Sequence, residues 1–247
     1  MNFFSLFKRK LIYKFKKKIN LDFDNINLDS LDKLFNHYGS DKANIFKEND
    51  RIGHGYSKFY EKKLEKFKDK QINILEIGSY SGASAAAFIK HFPNSKVFCF
   101  DINISNFKYQ SGKIHVFGID INNEKKIKKT LKYIFKNYKI KEFDLIIDDG
   151  SHYLSDILIG LKYFFKLVKN DGLYVIEDFK HPNYYEYNNN INHIFIDELL
   201  NNLKAKQTFL SNIFNKIDQK YLIDSVKEIE NFKGNLKDSD ISFILKN

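Results

Sequence analysis

Leu75-Glu76-Ile77-Gly78-Ser79-Tyr80-Ser81-Gly82-Ala83-Ser84 is the stretch whose reading decides the fold. It continues an apolar run from Ile72 and leads into the small-residue segment Ser84–His91, so a strand, a glycine turn and a helix follow in that order. Pro93 stops the helix. The alternation then repeats. Lys96–Phe100 reads as a second strand, Ile114–Phe117 as a short third, Phe143–Ile147 as a very apolar, central fourth, and Leu173–Ile176 as a fifth. Lys125–Asn137 and Ser155–Val168 read as the helices between them. Ser225–Phe232 and Ile241–Leu245, separated by a turn near Gly234, read as a closing antiparallel hairpin.

Strands alternating with helices imply an α/β fold with a mostly parallel sheet covered on both faces. The expected architecture is a Rossmann-like seven-stranded sheet ending in that hairpin, with a small helical N-terminal extension. Residues 1–70 would form a basic helix and helical cap, and residues 71–247 the sheet domain, with 180–215 an inserted loop or lid. Lys180–Asn192, rich in Asn and Tyr and containing Pro182, reads as a long loop beside the sheet's carboxyl edge, where substrate lids occur. A helical stretch near Phe195–Lys206 follows it.

The chain has 247 residues, enough for a sizeable core, and a net charge of +10. Lysine supplies nearly all the base, Arg9 and Arg51 being the arginines, and its scatter argues against a nucleic-acid stripe. One cluster stands out. Lys8, Arg9, Lys10, Lys14, Lys16, Lys17 and Lys18 supply seven of those ten charges within residues 1–20, with no acid among them. Phe3, Phe4, Leu6, Phe7, Leu11, Ile12 and Phe15 interleave with the bases. Such a helix either lies on an anionic membrane or packs its apolar side on the domain or on a second subunit; packing is the preferred reading. No apolar run reaches the roughly 20 residues of a membrane span, and no signal-peptide core is present. Cys99, the single cysteine, lies in an apolar strand as a buried inert thiol and fits a cytoplasmic setting.

Ligands of open parallel sheets bind beyond the strands' carboxyl ends. There, Gly78 and Gly82 allow the backbone a sharp turn and a close approach. Their G-x-x-x-G spacing is not the G-x-G-x-x-G that seats a pyrophosphate, which argues against NAD and FAD. Glu76 before the turn suits a cationic ligand, and S-adenosylmethionine carries both an ammonium and a sulfonium. Asp101, ending the second strand, can accept from ribose hydroxyls, and Asp120 after the third from an adenine amine. Ser79, Tyr80, Ser84, Ile102, Ile121 and Asp148 flank these points and complete the expected cofactor set.

With these features in order, the chain resembles class I S-adenosylmethionine-dependent methyltransferases. Within that class it is most similar to bacterial sugar O-methyltransferases of capsule and surface-glycan clusters and of macrolide sugars such as mycinamicin. The resembling stretches are Tyr38–Lys42, His54–Glu61, Ile74–Phe92, Val97–Asn103, Phe143–His152 and Gly172–Phe179. One departure is visible: the usual Gly-Asp-Gln after the third strand is Gly118-Ile119-Asp120-Ile121 here. The resemblance implies that Tyr38–Lys42 with Tyr56 and Tyr60 close over the cofactor's methionine end, with Lys42 on its carboxylate.

Asp148, Asp149 and His152 follow the fourth strand; Glu177 and Asp178 follow the fifth. Carboxylates converging from neighbouring strands repel, and a hard divalent cation, Mg²⁺ or Mn²⁺, relieves this. The resemblance assigns Asp149, Glu177 and Asp178 as metal ligands and His152 as the base, with Asp149 and His152 the catalytic pair. A metal holding a sugar's hydroxyls lowers their pKa, and a histidine can take the proton. His181, Tyr184 and Tyr185 are the expected substrate contacts.

The expected function is therefore O-methylation of a sugar hydroxyl, on a nucleotide-linked sugar for a surface polysaccharide. Two alternatives stand: a metal-dependent methyltransferase of catechol-like molecules, and a non-catalytic cofactor- or glycan-binding partner. A nucleic-acid methyltransferase is disfavoured, since no Asn-Pro-Pro-Tyr motif for flipped bases is present.

Overall fold

The computed structural model describes residues 3–46, 51–184 and 193–247. Seven strands make its main sheet: β1 (Asn73–Ile77), β2 (Lys96–Asp101), β3 (Ile114–Gly118), β4 (Phe143–Asp148), β5 (Val168–Glu177), β6 (Val226–Lys233) and β7 (Asp240–Lys246). Their spatial order is β6-β7-β5-β4-β1-β2-β3. The ladders from β3 across to β5 are parallel, and β7 runs antiparallel between β5 and β6. This is the α/β sheet the sequence pattern implied, closing hairpin included. Strand order reverses between β1 and β4, so the crevice beyond their carboxyl ends is the place where such a sheet takes a ligand.

The helices are α1 (Phe3–Phe15), α2 (Leu31–Tyr38), α3 (Ser57–Leu64), α4 (Ala83–His91), α5 (Glu124–Tyr138), α6 (Leu154–Phe164), α7 (His181–Tyr184), α8 (Ile196–Lys204) and α9 (Lys216–Ser225). Strand alternation divides the core between the sheet's faces. Ile74, Leu145, Ile147 and Val175 pack with α2, α3 and α4, whereas Leu75, Ile146, Tyr174 and Ile176 pack with α5, α6, α8 and α9. Ala85, Ala86 and Ala87 are fully buried, and their small side chains let α4 sit close between the sheet and α2.

Three expectations need adjustment. The N-terminal extension shares its core with the sheet: Leu34, Phe35, Tyr60 and Leu64 lie in the same cluster as Ile74 and Phe88, so residue 70 divides sequence patterns and not packing. The helix expected over Ser155–Val168 gives way at Phe164 to a 3₁₀ turn, Phe165–Leu167, and Val168 already opens β5 opposite Phe143. The continuous apolar spacing hides that handover, because a buried strand and a buried helix end look alike. Within 180–215, α8 buries Ile196, Leu199, Leu200 and Leu203 in the second core, so that part is scaffold and not lid. Lys180–Asn192 begins with the short α7 instead of a loop, and residues 185–192 lie outside the described part. Helix α9 was not expected, although Asn215 and Asp218 exchange side-chain and backbone hydrogen bonds as a capping box that the sequence displays.

Candidate active site

The β1 turn exists because two glycines permit it. Gly78 has φ +86°, and a Cβ there would lie 1.8 Å from the Asp149 carbonyl oxygen. Gly82 has φ +79°, and a Cβ there would strike the Phe107 ring. The first close approach presses the β1 turn against the β4 turn, where Asp149 N–H also donates to Ile77 O at 2.9 Å. Cofactor side and acid side of the crevice are therefore one continuous structure.

A cavity of about 740 Å³ opens over this turn, within the range of small-molecule sites. Of the expected cofactor residues, Gly78, Ser79, Tyr80, Ser84, Asp101, Ile102, Asp120, Ile121 and Lys42 line it, as does Asp149. The Asp101 carboxylate accepts from Tyr80 N–H at 2.7 Å and Asn103 N–H at 2.5 Å, and each oxygen keeps a lone pair for a further donor. Asp120 accepts from Asn122 N–H at 3.0 Å. Phe46, Lys108, Asn122, Tyr153 and Asp156 also line the cavity, with no motif to announce them.

Four expected cofactor residues lie behind or beside the wall. Gly82 backs onto Phe107. Glu76 is fully buried, accepts from the Ser84 hydroxyl and has Oε2 without a hydrogen-bond partner among the described residues; burial raises its pKa. Asp148 points away, accepting from Tyr174 Oη at 3.2 Å, and burial pushes it up to about 7. Tyr56 is buried and donates to Asp178.

The expected acids do converge. Asp149, His152 and Asp178 each offer a ligand atom, all within 4.8 Å of one another. His152 Nε2 lies 3.8 Å from Asp149 Oδ1 and 3.9 Å from Asp178 Oδ2. The carboxylates are not bare, however. Lys42, 2% exposed, places its ammonium on Asp149 and on Glu177, the latter at 2.7 Å. Tyr60 donates to the other Glu177 oxygen at 2.5 Å. His54 Nδ1 lies 3.2 Å from Asp178, and Ser239 Oγ is 2.7 Å from the same nitrogen.

Lys42 thus pairs with the acids while also lining the cavity, since a buried ammonium is held by the nearest buried carboxylates. Burial opposes its charge, but Asp149 and Glu177 outweigh that and hold its pKa well above the ordinary value. Burial pushes Asp149 upward, and Glu177 up to about 8, against the attraction of Lys42. His54 is raised to about 9: burial opposes its charge, and the hydrogen bond and charge of Asp178 overcome it. Burial would raise Asp178, yet His54 and then His152 hold it below the usual range.

An oxygen-and-nitrogen donor set of this spacing suits a hard divalent cation. Asp149 and Asp178 bring carboxylate oxygens together beside His152, and each Glu177 oxygen, accepting from Lys42 or Tyr60, keeps a further lone pair. Glu177 is at the same time a counter-ion of Lys42. Tyr80, His152 and Asp178 all hold left-handed backbone, at φ 43°, 56° and 50°. Non-glycine residues rarely sit there, and such strain concentrates at functional sites.

His181, at the start of α7, stacks its ring 5.1 Å from His152 at 41°, beside the acids. Tyr184 is partly exposed with Lys237 over its ring. Neither lines the cavity, and Tyr185 lies outside the described residues. His54 carries no signal of its own in the sequence beyond opening the resembling stretch that holds Tyr56 and Tyr60.

Sheet order and glycine turn together define a Rossmann-like α/β fold. No family model matches the chain. Among characterised proteins it is 29% identical over 155 residues to an L-olivosyl-oleandolide 3-O-methyltransferase of Streptomyces antibioticus, covering 60% of this chain and 36% of that protein. It is 27% identical over 135 residues to a mycinamicin VI 2''-O-methyltransferase of Micromonospora griseorubida, covering 51% and 31%. A tetracenomycin rhamnosyl 2'-O-methyltransferase of Streptomyces olivaceus matches at 25% over 148 residues, 57% and 35%. The chain thus spans about a third of the length of these relatives. In fold it is similar to the MycE methyltransferase, solved with Mg, SAH and mycinamycin VI: TM-score 0.64 and 21% identity, over 88% of this chain and 54% of that one. These sugar O-methyltransferases are the group that the motifs resembled.

Proposed function

We propose that the protein is an S-adenosylmethionine-dependent O-methyltransferase acting on a sugar hydroxyl, with a divalent cation held by Asp149, Glu177 and Asp178 and with His152 as the base. One observation carries this: Asp149 lines the cavity and belongs to the acid–histidine cluster, so donor and acceptor sites share a wall. Asp101 and Asp120 would hold the nucleoside, and Ser84 faces the cavity with Glu76 behind it. The bound cation supplies Lewis-acid activation of the acceptor hydroxyl. His152, close to both aspartates, would take the hydroxyl proton at Nε2. S-adenosylmethionine, when bound, would supply the methyl group, its C–S bond breaking as the new C–O bond forms and S-adenosylhomocysteine leaving. Lys42 and His54 offset the negative charge of the cluster, whose Asp149 and His152 remain partly exposed to an acceptor.

The relatives act, by their names, on sugars of antibiotic glycosides. The surface-polysaccharide precursor, a nucleotide-linked sugar, is our reading of the acceptor, supported by the sequence resemblance to glycan-cluster enzymes. The test is transfer of labelled methyl from S-adenosylmethionine to nucleotide sugars, glycosides and catechols, with and without Mg²⁺. Methylation of a sugar, lost with EDTA and reduced ~10²–10⁴-fold in His152→Ala, is expected. Turnover of catechols alone moves the acceptor class, and full activity in His152→Ala removes the base.

A further inference from the structure

Helix α1 is mounted with its polarity reversed. Arg9, Tyr13 and Lys16 point inward: Arg9 donates to Ile102 O at 3.0 Å, Lys16 to Ser105 O and Asn106 O at 3.0 Å, and Tyr13 meets Phe107 edge-on at 6.3 Å. Phe7, Leu11 and Phe15, four residues apart, make a stripe on the opposite side. They are 54%, 41% and 78% exposed, and Ile12, Ile19 and Phe23 extend the apolar surface. Lys8, Lys10, Lys14 and Lys17, all exposed, flank the stripe. An ordinary surface helix turns its apolar side inward and its charges out. Here the packing reading of the sequence is met by bases and one tyrosine, and the phenylalanines are left outside.

We propose that this outer face of α1 docks on an anionic lipid surface. The apolar stripe would enter the headgroup boundary, with the lysines level with the lipid phosphates. Charge complementarity selects this occupant over a second copy of the chain. Residues 1–20 hold seven bases and no acid, so two such faces repel each other. Ile102, whose carbonyl Arg9 holds, lines the cavity, so docking would bring the cavity's rim near the lipid. The inference stands independently of the chemistry at the acids.

The experiment is co-sedimentation of the full chain with vesicles of phosphatidylcholine, alone or mixed with phosphatidylglycerol, across a salt series. Binding to the anionic vesicles is expected, weakened by salt, and at least about tenfold weaker to pure phosphatidylcholine. Phe7→Ser/Leu11→Ser/Phe15→Ser and, separately, Lys8→Glu/Lys14→Glu/Lys17→Glu should each cut it about tenfold or more. Circular dichroism and thermal melting establish that each variant is folded. Failure to bind anionic vesicles, or equal binding by the folded apolar variant, overturns the proposal. So does a dimer that the apolar variant abolishes while vesicles capture nothing, which would assign the face to a second copy.

Discussion

Around β1 and β2 the site is an open cavity floored by backbone turns, where Asp101 and Asp120 hold main-chain N–H groups. Around β4 and β5 it is a packed ionic cluster, in which Asp149, Glu177 and Asp178 each already carry a cation or a hydroxyl. The first half is preorganised by geometry and leaves its charges room for a ligand. The second is preorganised by charge, at the cost of burying ions that are stable only in company. The two meet at Asp149 alone among the cluster's three acids. Damage to one half should therefore take a different form from damage to the other.

The largest contrast is expected at Lys42. Lys42→Met leaves Asp149 and Glu177 buried without their cation, so unfolding free energy should fall by ~3–5 kcal/mol in denaturant titrations. Added Mg²⁺ should recover part of that loss; a fully stable variant would mean that the lysine is dispensable to the cluster. On the cavity side, Asp101→Asn should leave stability nearly unchanged and weaken S-adenosylhomocysteine binding roughly tenfold by calorimetry. Unfolding of that variant would break the distinction between the halves.

The third contrast is a pH dependence. The folded pKa of His54, about 9, lies above its ordinary value of 6.5, so its contribution to stability is complete below about 6.5 and lost as pH rises through 9. The stability gap between wild type and His54→Gln should accordingly shrink by ~1–3 kcal/mol between pH 6.5 and 9.5. A gap that widens over this window would show that His54 is held neutral.

The same contrast explains what could be read in advance. The strands, the glycine turn and Asp101 are local: strand ends and turns in a parallel sheet are written in consecutive residues. The acids were equally visible, because Asp149 directly follows β4 and Glu177 closes β5. Their partners were not. Lys42 reaches Glu177 across 135 positions, and His54 and Tyr56 reach Asp178 across more than a hundred. No periodicity reports a contact of that kind, so the clustered anions were assigned wholly to a metal when two protein cations share the load. Helix α9, by contrast, displayed its Asn215–Asp218 cap in the sequence.

Asp149→Asn, tested in parallel for S-adenosylhomocysteine binding and for methyl transfer to a sugar acceptor, probes the central claim most directly. With Asp149 placed, as proposed, between donor and acceptor, binding should stay within about threefold of wild type while transfer falls ~10²-fold or more. Transfer at the wild-type rate, or loss of cofactor binding equal to the loss of transfer, would contradict it.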